Sequence, residues 1–194
     1  ILFQTEVLSE EKMINIFLLQ LSSKNKDYFM KKQLSSGLVQ IYTGDGKGKT
    51  TAALGQALRA AGHGFTVRFI QFLKSIDSGE LHSVENLHPC FIIYRFESQK
   101  KFFWTLNDEE KEELKKEISL AMDFARKTID KEECNILVLD EIIGALQNKL
   151  VSLEEIKEFI ERKPYHMELI LTGRNAPEEL VRMADLVTEM KKIK

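Results

Sequence analysis

Apolar residues from about position 37 onward fall into short runs that alternate with longer amphipathic stretches. The runs are five to eight residues long, rich in β-branched and aromatic side chains and bounded by polar or glycine-containing turns. Such runs are typical of buried β-strands. They predict strands at 38–43, 65–72, 90–96, 135–141, 167–174 and 186–190.

The stretches between these runs repeat their apolar positions every three or four residues, as amphipathic helices do. Two of them open with capping-box residues, Asn107 with Glu110 and Ser152 with Glu155. Helices are predicted at 49–62, from 107 to about 129, at 152–162 and after Pro177. Strands that alternate with helices in this way indicate a mostly parallel sheet covered on both faces, an α/β fold in three layers.

The first 36 residues differ from the rest and are predicted to be an appendage. Apolar positions recur at helical spacing after Ser9, and a polar segment rich in lysine and serine follows. We therefore divide the chain into an N-terminal amphipathic helix with a linker, residues 1–36, and one domain, residues 37–194. The apolar stretch 13–21 is too short to span a bilayer and follows two glutamates, so neither a signal peptide nor a membrane anchor is expected.

Charge and cysteine content narrow the classes of function. The chain has 28 basic and 30 acidic residues and a net charge of -2, which gives no overall field for binding nucleic acid. Cys90 and Cys134 lie in apolar runs without ligand spacing, so buried structural thiols are expected. We expect a cytoplasmic protein with no nucleic-acid or membrane partner.

The segment YTGDGKGKT, residues 42–50, has the composition of a phosphate-binding loop, but it is one residue short. In the usual pattern G-x-x-x-x-G-K-[ST] the first glycine would stand at Thr43. Glycines at 44, 46 and 48 allow backbone amides to turn inward, and the predicted helix from Lys49 adds its positive end. With Lys47 and Lys49, the loop favours a polyphosphate over an ordinary glycine turn.

Two carboxylates end the apolar strand at 135–141. Thr50 offers a hydroxyl to a magnesium ion, and Asp140 or Glu141 could complete or orient its coordination, because Mg²⁺ needs few protein carboxylates. The alternative is that Asp140 only caps the segment that follows. Strand ends at Gln71–Lys74 and Thr172–Arg174 are expected at the same edge of the sheet, where ligands of open parallel sheets bind.

A run of three aromatic residues, Phe102, Phe103 and Trp104, lies between charged residues without clear periodicity. Adjacent aromatics in a loop either hold that loop against the core or face a flat apolar ligand. Both interpretations remain open from the residues alone.

Taken together, several motifs resemble the ATP:corrinoid adenosyltransferases, the cob(I)yrinic acid a,c-diamide or cob(I)alamin type. The resemblance covers about 37–194 and rests on YTGDGKGKTTAALGQALRAAGHG, FIQFLKS followed by GE, FFW, LVLDE and LTGRNAPEELVRMADLVTEMKKIK. It implies a RecA-like P-loop domain. It also implies transfer of the 5′-deoxyadenosyl group from ATP to the cobalt of a reduced corrinoid, with release of triphosphate.

The resemblance also implies roles for individual residues. Lys49, Thr50 and Glu141 would be catalytic, Thr50 and Glu141 would hold Mg²⁺, and Phe102 with Trp104 would press on the lower face of the corrin. ATP, running opposite to its usual direction, would be bound by Gly44, Asp45, Gly46, Lys47, Gly48, Lys49, Thr50, Thr51 and Arg174.

Partners follow from the same resemblance: a homodimer, an electron-donor flavoprotein, and residues 1–36 as a lid over the partner's site. The alternative for the N-terminal helix is packing on its own subunit. The chain departs from the family at Asp45, where asparagine is common, and at Ile142 and Ile143, where a polar residue often follows the carboxylates.

Two other functions compete with adenosyl transfer. An ATPase or small kinase would use the same loop and carboxylates for phosphoryl transfer and would release ADP. A non-catalytic ATP sensor would bind the nucleotide without turnover, and it would leave the aromatic run without a ligand.

Overall fold

The computed structural model describes residues 32–74, 76–98 and 103–194. Within these ranges the chain forms one six-stranded sheet in the order β3-β2-β4-β5-β1-β6, and every neighbouring pair is parallel. All the predicted strands are confirmed to within two residues at each end. Their bounds are β1 Val39–Thr43, β2 Val67–Gln71, β3 Phe91–Arg95, β4 Ile136–Asp140, β5 Glu168–Thr172 and β6 Leu186–Glu189.

Helices join the strands, and both predicted capping boxes are present. Two helices, α2 and α4, were not predicted, because six or seven residues are too few to show a helical period. The described helices are α1 Lys49–Gly62, α2 Gly79–Glu85, α3 Asp108–Asp130, α4 Ile142–Gln147, α5 Leu153–Arg162 and α6 Glu178–Met183, with a 3-10 turn at Phe103–Thr105.

The sheet has a hydrophobic core on each face, as strand alternation requires. On β4, Leu137 and Leu139 belong to the core that includes buried residues of α3 to α6. Ile136 and Val138, the alternate residues, belong to the core that includes buried residues of α1. The expected three layers of helix, sheet and helix are therefore confirmed, with the four inner strands buried on both sides. The edge strand β3 is mostly only partly buried, and the other edge strand, β6, is exposed along its length.

Strand order brings the functional loops to one edge. The glycine loop follows β1 and the carboxylates follow β4, with β5 between these two strands. An all-parallel sheet between two layers of helices agrees with the predicted α/β fold class. All strands run the same way, so the loops after β1, β2, β4 and β5 open at the same side of the sheet.

The predicted N-terminal helix lies outside the described residues. Residues just before the predicted boundary at 37 contact the domain: Asn135 Nδ2 donates to the Lys32 carbonyl at 2.8 Å, and the Lys32 ammonium lies 4.6 Å from the Phe65 ring centre. No helix in the described part of the chain is both long and apolar enough to cross a membrane.

The two cysteines differ in their surroundings. Cys134 is buried, as expected, and burial raises the pKa of its thiol to about 12. Cys90 is only partly buried, so the prediction of a buried thiol there is wrong. It immediately precedes Phe91, the first residue of β3, where the chain turns in from the surface after α2.

Candidate active site

The glycine loop between β1 and α1 requires glycine for two different reasons. Gly44 and Gly48 have φ of 98° and 112°, a region that favours residues without a Cβ. Gly46 has another constraint, because an added Cβ would lie 2.6 Å from the carbonyl oxygen of Met190. The Gly46 amide donates to that same oxygen at 2.6 Å. The loop therefore lies directly against the chain that follows β6.

Thr43, which stands where the usual first glycine would be, is a buried anchor. Its hydroxyl oxygen accepts a hydrogen bond from the Ala176 amide at 3.1 Å, and its carbonyl oxygen accepts one from the Met190 amide at 2.8 Å. The shortened loop thus starts from a residue that binds the segments after both β5 and β6.

Lys49 begins α1 and is only 7% exposed. Its ammonium donates to the carbonyl oxygens of Gly44 at 2.7 Å and Gly46 at 2.9 Å, which holds the charge inside the curve of the loop. The N-terminus of the fourteen-residue α1, which carries the positive end of the helix dipole, begins at the same residue. This combination of a buried ammonium and a helix N-terminus suits a bound polyphosphate.

The remaining predicted loop residues are more open to solvent than Lys49. Asp45 and Lys47 are exposed in the loop, and Thr51 is exposed in the first turn of α1. An exposed Asp45 carboxylate keeps its hydration, so its charge is better screened than that of a buried group.

Asp140 is the centre of the hydrogen bonds at this edge and is fully buried. Four side chains from α1, β5, β2 and the loop after β2 donate to its carboxylate. The distances are 2.9 Å from Thr50 Oγ1, 2.7 Å from Thr172 Oγ1, 2.8 Å from Lys74 Nζ and 3.4 Å from Gln71 Nε2. The alternative that Asp140 merely caps the following segment is wrong, because Glu141 occupies the N-cap position of α4.

Glu141 lies between β4 and α4 with a φ of 63°. Its backbone amide donates to Thr172 Oγ1 at 2.8 Å, which fixes this left-handed residue. Burial, and after it the negative charge of Asp140, raise the pKa of Glu141, while the positive charges of Lys49, Lys74 and Arg174 act in the opposite direction. The carboxylate therefore lies within the electrostatic reach of the cations of the site.

Gly173 lets the end of β5 approach α4 closely. Its φ is 144°, and an added Cβ would lie 2.7 Å from the Ile143 Cβ. Arg174 follows on the surface, and its carbonyl oxygen accepts a hydrogen bond from Gln147 Nε2 at 2.6 Å. Ile142 and Ile143, the two departures after the carboxylates, are fully buried in the core. They pack α4 and make no polar contact with the site.

The aromatic run divides into parts with different surroundings. Phe103 is partly buried and packs against the core, whereas Trp104 is 76% exposed within the 3-10 turn. Phe102 lies outside the described residues. Holding the loop to the core is therefore the role of Phe103, and the exposed indole of Trp104 is accessible to a flat ligand.

Three contributors to the site were not assigned roles from the sequence. Lys74 donates to Asp140 and also to Thr50 Oγ1 at 3.2 Å, Gln71 donates to Asp140, and Thr172 links Asp140 to the Glu141 amide. Their positions at the end of β2, in the loop that follows it and at the end of β5 were the available signal. The pattern did not indicate that all three would converge on one carboxylate.

Beside the loop, the Thr50 hydroxyl and the carboxylates of Asp140 and Glu141 offer oxygen ligands, which suit Mg²⁺ rather than a soft metal. The Lys74 ammonium lies next to Thr50 and Asp140. Among the described residues no group of three or more histidine, cysteine, aspartate or glutamate side chains could form a metal cage. A hydrated Mg²⁺ bound through one or two protein groups and phosphate oxygens fits Thr50, Asp140 and Glu141.

Comparison with known proteins identifies a similar family. The family described as ATP:corrinoid adenosyltransferase BtuR/CobO/CobP matches residues 35–194. A corrinoid adenosyltransferase from Sinorhizobium sp is 36% identical over 160 residues, which are 81% of this chain and 73% of that protein. One from Escherichia coli K12 is 30% identical over 159 residues, 81% and 78% of the two chains.

A solved structure of a KaiC-like protein from Pyrococcus horikoshii is 17% identical and has a TM-score of 0.48. The match covers 83% of this chain and 76% of that one. A similarity at this level supports no conclusion about function.

Proposed function

The chain belongs to the ATP:corrinoid adenosyltransferase family, and from this premise we propose how its own residues carry out the family's reaction. The 5′-deoxyadenosyl group of ATP is transferred to the cobalt of a reduced corrinoid, and triphosphate is released. The acceptor is cob(I)alamin or its precursor cob(I)yrinic acid a,c-diamide. The observation that carries the assignment of roles is the meeting of the glycine loop, Thr50 and Asp140 at one edge of the sheet.

The reaction needs little covalent chemistry from the protein. The electron pair of Co(I) attacks the ribose C5′ carbon, a cobalt–carbon bond forms, and the bond from C5′ to the α-phosphate oxygen breaks. The electrons of that bond leave on the triphosphate, so the step balances without a base or another reactant. The chain must therefore align the two substrates and stabilise the charge that grows on triphosphate.

Lys49 is the residue best placed for this stabilisation. Its ammonium is buried inside the loop, 2.7 Å from the Gly44 carbonyl oxygen. There it would meet the phosphates together with the α1 N-terminus and the loop amides, while Lys47 adds a second charge from the exposed side. The low solvent exposure of Lys49 strengthens its interaction with the phosphates, whereas water screens the charge of Lys47. We assign triphosphate binding to Gly44, Gly46, Gly48, Lys47 and Lys49.

Thr50 and Glu141 are proposed to hold Mg²⁺, with Asp140 orienting them. Asp140 fixes the Thr50 hydroxyl at 2.9 Å and, through Thr172, the backbone of Glu141. When bound, Mg²⁺ would neutralise part of the triphosphate charge. Arg174 adds a positive charge near Glu141, and Thr51 and Asp45 complete the proposed nucleotide contacts.

Trp104 and Phe102 are proposed to contact the corrinoid. A ring pressed on the lower face of the corrin would displace the axial ligand of Co(II), which makes reduction to Co(I) easier. The 76% exposure of Trp104 supports this role, because a large aromatic side chain is normally more buried.

Trp104→Ala is therefore expected to separate reduction from transfer. With corrinoid supplied as Co(II) and a reductant, the rate of adenosylcobalamin formation should fall about a hundredfold, whereas with chemically prereduced Co(I) most of the rate should remain. Tyr165→Ala is the matched control, because Tyr165 is 73% exposed and precedes β5 at the opposite edge of the sheet. Equal losses in both assays would make Trp104 a general binding or structural residue.

The partners of this site are also proposals. The reaction requires an electron donor for Co(II), and a flavoprotein is the proposed donor. We propose a homodimer in which residues 1–36 serve as a lid over the partner's site. The proposed location is the reducing cytoplasm, where free thiols such as Cys90 and Cys134 are maintained.

An anaerobic assay with reduced cobalamin, ATP and Mg²⁺ tests the function. The visible spectrum should report a light-sensitive alkylcobalt product, and phosphorus NMR should report intact triphosphate. That pair of products requires attack at C5′ and supports the reversed nucleotide. ADP with phosphate and an unchanged corrinoid would instead establish phosphoryl transfer, and ATP binding without turnover would establish a sensor.

A further inference from the structure

The turn after β2 is held by one carboxylate that does not itself reach the Thr50–Asp140 pair. The Leu73 amide donates to Glu97 Oε1 and the Lys74 amide to Glu97 Oε2, both at 2.9 Å. Leu73 has a φ of 56°, which is unfavourable for a leucine and persists only where the surroundings impose it. Glu97 thus fixes two consecutive residues of a strained turn, with one oxygen for each amide.

Burying this carboxylate has an energetic cost. Glu97 is 7% exposed, and burial raises its pKa to about 7. Two charged groups of neighbouring elements face it: Glu117 of α3 raises the pKa further, and Arg95 of β3 lowers it. Ionising a buried carboxylate is costly, and carboxylates with a raised pKa cluster at functional sites, so the position of Glu97 indicates a role beyond support of the turn.

The side chain of Lys74 supplies that explanation. Its ammonium lies 2.8 Å from Asp140 Oδ2 and 3.2 Å from Thr50 Oγ1. The same residue is therefore fixed at both ends: Glu97 holds its backbone, and the buried carboxylate of Asp140 holds its charge. A shift of the turn would move the ammonium away from the Thr50 hydroxyl.

We propose that Glu97 is a positioning residue for adenosyl transfer, acting through Lys74, whose ammonium it keeps against Asp140 and Thr50 at the edge where ATP binds. The assignment rests on the proposed role of Thr50 and Asp140 in nucleotide binding. Lys74 supplies a fixed positive charge beside the hydroxyl and adds to the cations that face the departing triphosphate. The FIQFLKS segment thereby gains a function in the reaction.

A double-mutant cycle distinguishes positioning from simple support of the turn. Glu97→Gln keeps the shape of the side chain but replaces one acceptor oxygen with an amide donor, which would oppose a backbone N–H. With prereduced cobalamin and saturating ATP at pH 8, we expect kcat to fall about tenfold in Glu97→Gln and at least about tenfold in Lys74→Met. The double variant should be no slower than Lys74→Met alone, because the effect of Glu97 passes through Lys74.

The pH profile gives a second measurement that a merely structural role would not change. As the pH falls through about 7, Glu97 takes up a proton on one of the two oxygens that accept the amides. We expect kcat of the unaltered protein to fall in this range, and the fall should be absent in Glu97→Gln and Lys74→Met. Glu117→Gln removes a negative charge that raises the pKa of Glu97. In this variant the fall in kcat should therefore occur at lower pH.

The matched control is Glu113→Gln, an exposed glutamate on α3 that should leave kcat and its pH profile unchanged. Additive losses of kcat in the double variant would overturn the proposal. So would a fall in kcat below about pH 7 that persists in Lys74→Met. If thermal unfolding shows that Glu97→Gln does not fold, the pH profiles of Lys74→Met and Glu117→Gln decide without any change at residue 97.

Failure of the proposed function would be seen separately, as absence of adenosylcobalamin with the unaltered protein. In that case calorimetry measures the dissociation constant of MgATP for Glu97→Gln, Lys74→Met and the double variant. Non-additive losses of affinity would support the coupling of Glu97 to Lys74, and additive ones would refute it.

Discussion

Replacement of Lys49 by methionine is expected to lower kcat for adenosylcobalamin formation by about a thousandfold, or about 4 kcal/mol of transition-state stabilisation. Lys49 is 7% exposed, so little water is available to replace its ammonium. Charge on the triphosphate grows as the bond to C5′ breaks, so the loss should fall more on kcat than on ATP affinity. Rates with prereduced cobalamin, together with calorimetric ATP binding, measure both quantities.

Two further lysines serve as comparisons for Lys49→Met. Lys47→Met, in the exposed part of the loop, should lower kcat only about tenfold, because water screens its charge. Lys157→Met replaces a lysine of α5 that pairs with Glu154, and it should leave both kcat and ATP affinity unchanged. Turnover near normal in Lys49→Met, with the protein folded, would refute the assignment of the loop to triphosphate.

Asp140→Asn is expected to have the next largest effect, on stability as well as on activity. Donors from four side chains converge on this carboxylate, and an asparagine would offer one oxygen and turn an amide donor toward the others. We expect a loss of about 2–3 kcal/mol in the free energy of unfolding, since Lys74 is partly exposed and can be rehydrated. That loss corresponds to a Tm lower by about 4–12 °C.

The activity of Asp140→Asn should fall at least about a hundredfold, because the Thr50 hydroxyl and Lys74 ammonium lose their common acceptor. Asp130→Asn is the matched control, since Asp130 forms a surface ion pair with Arg162 and should cost less than about 1 kcal/mol without changing kcat. Normal kcat in a folded Asp140→Asn would place Asp140 outside the active site. Calorimetric unfolding and the prereduced assay measure the two effects.

Local patterns along the chain were sufficient for the regular elements. Strands buried on both faces read as continuous apolar runs, and capping boxes such as Asn107 with Glu110 marked where long helices begin. The short α4 was missed because Ile142 and Ile143 continue the apolar character of β4. It packs closely against Gly173, which is a contact between segments far apart in the sequence.

The candidate site also contains some residues that are close together in the sequence and others that meet only in the folded chain. Gly44, Gly48 and Lys49 are neighbours in sequence, and their spacing alone predicted a phosphate-binding loop. Glu97 gave no comparable signal, because its two hydrogen-bond donors are more than twenty residues away and belong to another loop. Nothing in the segment RFES distinguishes such a glutamate from an ordinary surface residue.

The sequence by itself determined all six strands, four of the six described helices, the glycine loop and the family resemblance, because each depends on residues close together in the chain. The tertiary structure alone decided that Asp140 collects donors from three other elements and the loop after β2, and that Glu97 holds Lys74 in place. Those contacts depend on which parallel strands become neighbours. The order β3-β2-β4-β5-β1-β6 is set by the packing of the whole sheet, and no local pattern encodes it.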